Sequence, residues 1–177
     1  MEPRPPNREI LNQLINFFWT AVGFTPVVWF WIKDGLNLYF YLFVALSLIV
    51  SILPEKIFRL FTRSSRRSLY EKLGVKQIRR FVQNGTLINA VTNKEKRSVV
   101  TGVSQARRYI KTIAMYERFH WACFTFFLLT TIRCLMVADY KLALAITAAN
   151  ALYNVCSILL QQYNKVRIHK LTGHPVV

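Results

Sequence analysis

The sequence predicts an all-α integral membrane bundle of four transmembrane helices, with basic amphipathic interfacial helices between the second and third spans. Three observations carry that expectation. Hydrophobic residues make up 53% of the 177, yet 24 Lys+Arg stand against 8 Asp+Glu. That mixture suits a membrane protein with a basic cytoplasmic face better than a water-soluble core. Four apolar runs are long enough, at ~1.5 Å per residue, to span ~30 Å of bilayer hydrocarbon. Between the second and third runs, residues 54–117 hold 15 Lys+Arg and only Glu55, Glu71, Glu95 and Glu117 as acids. Residues 1–177 are read as one membrane domain.

The first run, about 10–32, follows Arg4 and Arg8 in the manner of a signal peptide. It is too long for one, contains Pro26 and lacks a small-residue cleavage site, so it is read as a retained anchor. The second run covers about 36–53, the third about 119–137 and the fourth about 140–161. The connections "KDG" (33–35) and "DY" (139–140) are short and nearly charge-balanced, whereas the loop 54–117 is strongly basic. The positive-inside rule therefore places that loop and both termini in the cytoplasm. Trp29, Phe30 and Trp31 fit an interfacial aromatic belt, and Arg133 is placed to snorkel outward. Cys123, Cys134 and Cys156 all fall inside spans and read as small buried hydrophobes.

The basic loop carries apolar residues at helical spacing. "PEKIFRLFTRSSRRS" (54–68) and "SLYEKLGVKQIRRFVQNG" (68–85) both read as short helices lying on the membrane surface. Gly74 is expected to divide the second, and Gly85 to end it. "TLINAVTNKEKRSV" reads as turns or a short hairpin, after which Ser104 could cap a helix leading into the third span.

The fourth span holds a polar stripe. Thr147, Asn150, Asn154, Ser157, Gln161 and Asn164 are spaced 3, 4, 3, 4 and 3, which puts them on one helical face. Amides cannot face lipid unpaired, so the stripe must meet other helices or a wet cavity. Thr147 and Asn150, deep in the span, suit interhelical hydrogen bonding, whereas Asn154 onward suits a cavity at the cytoplasmic edge. The third span opens at that same edge with "YERFHW". There Glu117 and His120 lie three apart and share a face, so Glu117 can hydrogen-bond the imidazole or instead pair with Arg108 or Arg118. A histidine, a carboxylate, amides, a tyrosine and an arginine are the parts of a base-assisted transfer to a carbonyl. His169 and His174 read as solvated tail.

Other chemistries fit poorly. Three histidines are too few for a di-iron membrane hydroxylase, and no third zinc ligand can be assembled around His120, so no metal is expected. The His-x4-Asp motif of glycerolipid acyltransferases is absent, because Thr125 stands five residues after His120. "GVSQA" (102–106) lacks the last glycine of a nucleophile elbow. Nucleic-acid binding is set aside, since the cations are interleaved with residues that favour lipid.

The pattern E-x-x-H-W at a membrane edge, N-V in the last span and Q-x-Y-N-K-x-R beyond it resembles the glycosyl-4,4'-diaponeurosporenoate acyltransferase family. The matching residues are Glu117, His120, Trp121, Asn154, Val155, Gln161, Tyr163, Asn164, Lys165 and Arg167. "ILPEKIFR" and "YEKLGVKQIRRFVQNG" resemble the family's basic loop, so the likeness runs from about 52 to 170. Cys156 stands where the family pattern has proline after Asn-Val. The resemblance implies a bacterial inner-membrane enzyme that moves a fatty acyl chain from acyl-CoA or acyl carrier protein to a hydroxyl of a glycosylated lipid or carotenoid. It implies His120 as general base and Glu117 as its orienting partner. Asn154, Gln161, Tyr163, Asn164, Arg167 and Trp121 would bind the substrate in a cavity between the third and fourth spans, where the amides of Asn154 and Gln161, with Asn164, could donate to the developing oxyanion. Lys76, Arg79 and Arg80 would meet the donor's phosphates or an acidic carrier. No resident cofactor is implied, and a homodimer is allowed. The rival reading is a non-catalytic lipid- or pigment-binding scaffold, whose basic loop simply grips anionic headgroups.

Overall fold

The computed structural model describes residues 7–62, 64–82, 85, 88 and 103–172. The turns expected over "TLINAVTNKEKRSV" lie almost wholly outside these residues, as does His174. Among the described residues the chain is all-helical, with no strand.

Helix α1 spans Arg8–Asp34, opened by the Asn7 side chain accepting from the Glu9 amide at 3.0 Å. Gly35 ends it at φ 79°, a conformation that a Cβ would disfavour, with its own amide bonded to the Trp31 carbonyl. Asn37 then caps α2, Leu38–Ile52, and Pro54 follows its end. Helix α6 spans Val103–Met136, and Asp139 caps α7, Tyr140–Asn150. A π-helical turn, Ala151–Val155, joins α7 to α8, Cys156–Thr172. Three of these bodies, Arg8–Asp34, Ser104–Met136 and Tyr140–His169, are long and apolar enough to cross a membrane. The expected second span is shorter: α2 has 15 residues, about 22 Å of helix against ~30 Å of hydrocarbon. Its length is set by the Asn37 cap at one end and Pro54 just past the other.

The main core joins Val27, Phe30 and Trp31 of α1 to Phe43 of α2, Phe127 of α6 and Ile146 of α7. Phe30 and Trp31 are therefore interior residues, 2% and 4% exposed, and only Trp29 faces outward. The aromatic belt expected there gives way because the Trp31 indole N–H has a partner inside, donating to Thr130 Oγ1 at 3.2 Å. Arg133 also turns inward. Its Nε donates to Asp34 Oδ2 at 3.1 Å, and its guanidinium lies 4.5 Å from the Tyr39 ring centroid. A part-buried carboxylate partner holds the guanidinium in place of solvent.

Gly23 makes room for the residue that will flank the candidate site. A Cβ at this position would lie 2.9 Å from Tyr153 Cγ. Gly23→Ala is expected to destabilise the fold by roughly 1–3 kcal/mol, the usual range for overpacking. Thermal unfolding of the purified protein in detergent would measure it, and an unchanged midpoint would show that Tyr153 moves freely.

Among the described residues of the basic segment are three short helices, α3 (Glu55–Leu60), α4 (Arg67–Lys72) and α5 (Val75–Ile78), with Gly74 at φ 79° between the last two. Tyr70 and Val75 are fully buried against Leu160, Tyr163 and Val166 of α8. Phe81 reaches α1, where its carbonyl accepts from Trp19 Nε1 at 2.7 Å. The segment is thus packed onto the helices at the end of the bundle where α2 stops.

Candidate functional site

His120 lies on α6, where it faces the π turn. Its Nδ1 is 3.2 Å from Asn154 Oδ1. The Asn154 amide Nδ2 donates to Asn150 Oδ1 at 2.9 Å, and Asn150 Nδ2 donates to the Phe124 carbonyl at 3.2 Å. This chain of bonds has a fixed direction. A backbone carbonyl can only accept, so Asn150 must present its NH2 to Phe124 and its oxygen to Asn154. Asn154 must then present its oxygen to His120, which makes Nδ1 the protonated nitrogen. In the neutral ring Nε2 then keeps its lone pair, and among the described residues it has no hydrogen-bond partner.

Two rings frame the imidazole. Tyr153 meets it edge-on with centroids 5.3 Å apart, and Phe119 does the same from α6 at 5.3 Å. Tyr153 also approaches Thr20 Oγ1 at 3.5 Å, which brings α1 to this side of the site. Asn154 is completely buried. Thr147 bonds back to the Ala143 carbonyl of its own helix.

Glu117 does not bond the imidazole. Its Oε2 is 2.6 Å from Lys165 Nζ, and its Oε1 accepts from Gln162 Nε2 at 3.1 Å. Lys165 wins because it reaches in from α8 with a full opposite charge, and Glu117 is only 2% exposed. Gln162 ties this pair to the basic segment, donating to the Phe61 carbonyl at 3.3 Å and accepting from the Tyr70 hydroxyl at 3.2 Å. Lys165 also lies 3.8 Å from Glu55. Glu117, Gln162, Lys165 and Tyr70 form one polar knot at the base of the two long helices.

The π turn explains why the polar stripe breaks. A π turn closes i→i+5 bonds, here from the Cys156 amide to the Ala151 carbonyl, and so inserts one extra residue into the helix. Beyond it Ile158 and Gln162 are buried, each one position later than the Ser157 and Gln161 that a continuous helix would present, and Val166 is buried where the stripe would have Asn164. Gln161 and Asn164 are only half-buried as a result. The turn ends directly before Cys156, so the helix departs from α geometry there without a proline.

The remaining expected residues are scattered. Tyr163 is 1% exposed and sits under α4, where Arg67 Nε donates to its hydroxyl at 3.0 Å. Trp121 packs between Phe61 and Phe124, with its indole N–H buried and without a hydrogen-bond partner in the described structure. Arg167 is exposed, Arg79 half-exposed and Arg80 exposed. Lys76 pairs with Glu71 at 2.9 Å; this ammonium, with Arg67 beside it, holds the Glu71 carboxyl below its ordinary range. A groove of 730 Å³ runs between α2 and α6, on a different face of α6 from His120. The described residues contain no cluster of three or more His, Cys, Asp or Glu that could hold a metal ion.

Gln162, Tyr70, Tyr153, the pairing of Lys165 with Glu117 and the relay role of Asn150 escaped the sequence reading. Only Asn150 left a usable signal, through its spacing from Asn154. A family model described as glycosyl-4,4'-diaponeurosporenoate acyltransferase matches residues 54–174 of the chain. The comparisons with curated proteins and with solved structures gave no match.

Proposed function

The chain belongs to the glycosyl-4,4'-diaponeurosporenoate acyltransferase family, an acyltransferase family of carotenoid biosynthesis, and from that premise we propose how it works. It moves a fatty acyl chain from acyl-CoA or acyl carrier protein to a hydroxyl of a glycosylated lipid or carotenoid, with His120 as general base. The observation that carries this reading is the polarised relay. In the neutral ring it leaves Nε2 as an unpartnered nitrogen between the rings of Phe119 and Tyr153, the state a general base needs before the reaction.

The step balances simply. The acceptor hydroxyl attacks the thioester carbon, a C–O bond forms, and its proton passes to Nε2. The tetrahedral intermediate collapses, the C–S bond breaks, and the proton passes from Nε2 to the leaving thiolate. The imidazolium that exists in between keeps its Nδ1–H on the Asn154 oxygen. Asn154 is thus a positioning residue; its NH2 is committed to Asn150 and is not free for an oxyanion. The orphaned Trp121 N–H is a donor that a substrate oxygen would satisfy.

The surrounding architecture is part of the same proposal. Residues 1–177 form one multi-pass domain of a bacterial inner membrane, with both termini cytoplasmic. Helix α2 is its fourth span, because the three-residue turn after α1 returns it antiparallel along α6, and a thinned or tilted bilayer accommodates its length. Helices α3 to α5 lie at the inner surface. His120 stands ~24 Å of helix from the outer end of α6, near the inner edge of a hydrocarbon core of ~30 Å. Acceptor sugars and a soluble donor meet there, and Lys76, Arg79, Arg80 and Arg167 draw the donor's phosphates or an acidic carrier. Tyr163, Gln161 and Asn164 act through the shape of the cytoplasmic end. The protein works as a monomer or homodimer and takes no nucleic acid.

Asn154→Leu tests the relay. Without an acceptor at Nδ1 the tautomer is free, and kcat for transfer from acyl-CoA or acyl carrier protein is expected to fall by roughly 10²-fold with KM for the donor unchanged. ¹⁵N spectra of histidine-labelled protein should show the Nδ1–H tautomer at His120 in the unsubstituted chain. An Nε2–H tautomer there would remove the base assignment.

A further inference from the structure

We propose that the groove between α2 and α6 is a binding site for one anionic phospholipid of the inner leaflet, distinct from the acyl-transfer site. This rests on the membrane placement given above but not on the reaction.

The walls of the groove are hydrocarbon. Val44 and Leu48 of α2 face Ala122 and Phe126 of α6. The two serines that line it are satisfied within their own helix: Ser47 Oγ donates to the Phe43 carbonyl and Ser51 Oγ to the Leu48 carbonyl, each at 2.7 Å. No free hydroxyl is left along the groove to hold a polar ligand. Its 730 Å³ falls within the size of ordinary ligand pockets.

One end is charged. Lys111 and Arg118 are seven apart on α6 and so share the groove face. Neither has an ion-pair partner among the described residues. Arg118 is held at the mouth by the Phe58 ring, 5.7 Å away. Glu55, the acid at this mouth, is half-exposed and 3.8 Å from Lys165, and it offsets part of this charge but not both cations. An apolar slot that ends in a net positive charge, Lys111 and Arg118 against Glu55, is complementary to an acyl chain that ends in a phosphodiester. A zwitterionic lipid would bring its own cation to the same place.

The occupant is not the acyl donor, on geometric grounds. A thioester seated at Lys111 and Arg118 lies on the face of α6 that carries Phe119 and Ala122, whereas His120 and Glu117 are on another. Phe119 stands between the groove and the imidazole.

Native mass spectrometry of the delipidated protein, titrated with phosphatidylglycerol or phosphatidylcholine of the same chains, tests the proposal. One phosphatidylglycerol is expected to bind in preference. Combined Lys111→Ala and Arg118→Ala should weaken that binding about thirtyfold, two cations each at the usual strength near an anionic surface. Ala122→Trp, which fills the slot, should abolish binding of both lipids, and the charge variant decides alone if the tryptophan prevents folding. Equal affinity for the two lipids, undiminished binding by the charge variant, or one-for-one displacement by long-chain acyl-CoA would each overturn it.

Discussion

His120→Ala should remain folded and inserted while its acyl transfer falls by ~10²–10⁴-fold, the range a positioned general base contributes. The residue's structural ties are few: one hydrogen bond, to Asn154, and edge contacts with Phe119 and Tyr153. Its loss leaves Asn154 Oδ1 without a donor, a cost of ~1–3 kcal/mol that a stable bundle can absorb. The chemistry has no such reserve. Without Nε2 the acceptor hydroxyl must attack with its proton still on it, or lose it to water, a far weaker base than the imidazole. The deficit should appear in kcat, with donor KM little changed, because the imidazole acts in the transition state. The assay would use a glycosylated carotenoid or lipid acceptor with acyl-CoA and acyl carrier protein donors in turn. Transfer at the full rate with either donor would dismiss His120 as the base, and the scaffold reading would then gain ground.

How much of this was legible in the sequence depends on what kind of signal each feature leaves. The long helices were legible because apolar run length survives any packing arrangement. The split at Gly74 was legible because a positive φ selects glycine, and Gly74 has φ 79°. The meeting of His120 with Asn154 was legible because both stand on polar faces at one edge of the bundle. The register beyond Asn154 was not. A π turn adds one residue without altering composition, and "ALYNVCSILLQQ" reads as well in α as with the bulge. It cost the stripe its last three members and hid Gln162 behind Gln161. Glu117's partner was hidden for a different reason. Sequence spacing favours contacts on one helix, such as His120 three residues on, while Lys165 comes from another helix 48 positions away. Trp31 and Arg133 failed in the same way: their ordinary roles at a membrane edge were overridden by Thr130 and Asp34, partners supplied only by the fold.

That cross-helix pair carries the largest expected effect on stability. Glu117→Ala should cost roughly 3–5 kcal/mol, because it leaves a mostly buried ammonium without its near partner. Lys165, 16% exposed, would keep only Glu55 at 3.8 Å, and Gln162 would lose the acceptor for one of its amide protons. The damage should spread to the basic segment, since Gln162 also holds the Phe61 carbonyl and the Tyr70 hydroxyl. Replacing both partners, Glu117→Met with Lys165→Met, removes the uncompensated charge and should recover most of the loss, as neutral replacements of buried pairs commonly do. Thermal unfolding of the two single variants and the double variant in one detergent measures the coupling directly. A Glu117→Ala protein as stable as the parent would mean that the pair is solvated and contributes nothing. Activity of the double variant then separates two roles that stability cannot. If Glu117 only braces α6 against α8, a refolded methionine pair transfers acyl groups near the parental rate. If the carboxylate takes part in the chemistry, the same protein is stable and inactive, and Glu117 acts beside His120 in the reaction although no bond joins them.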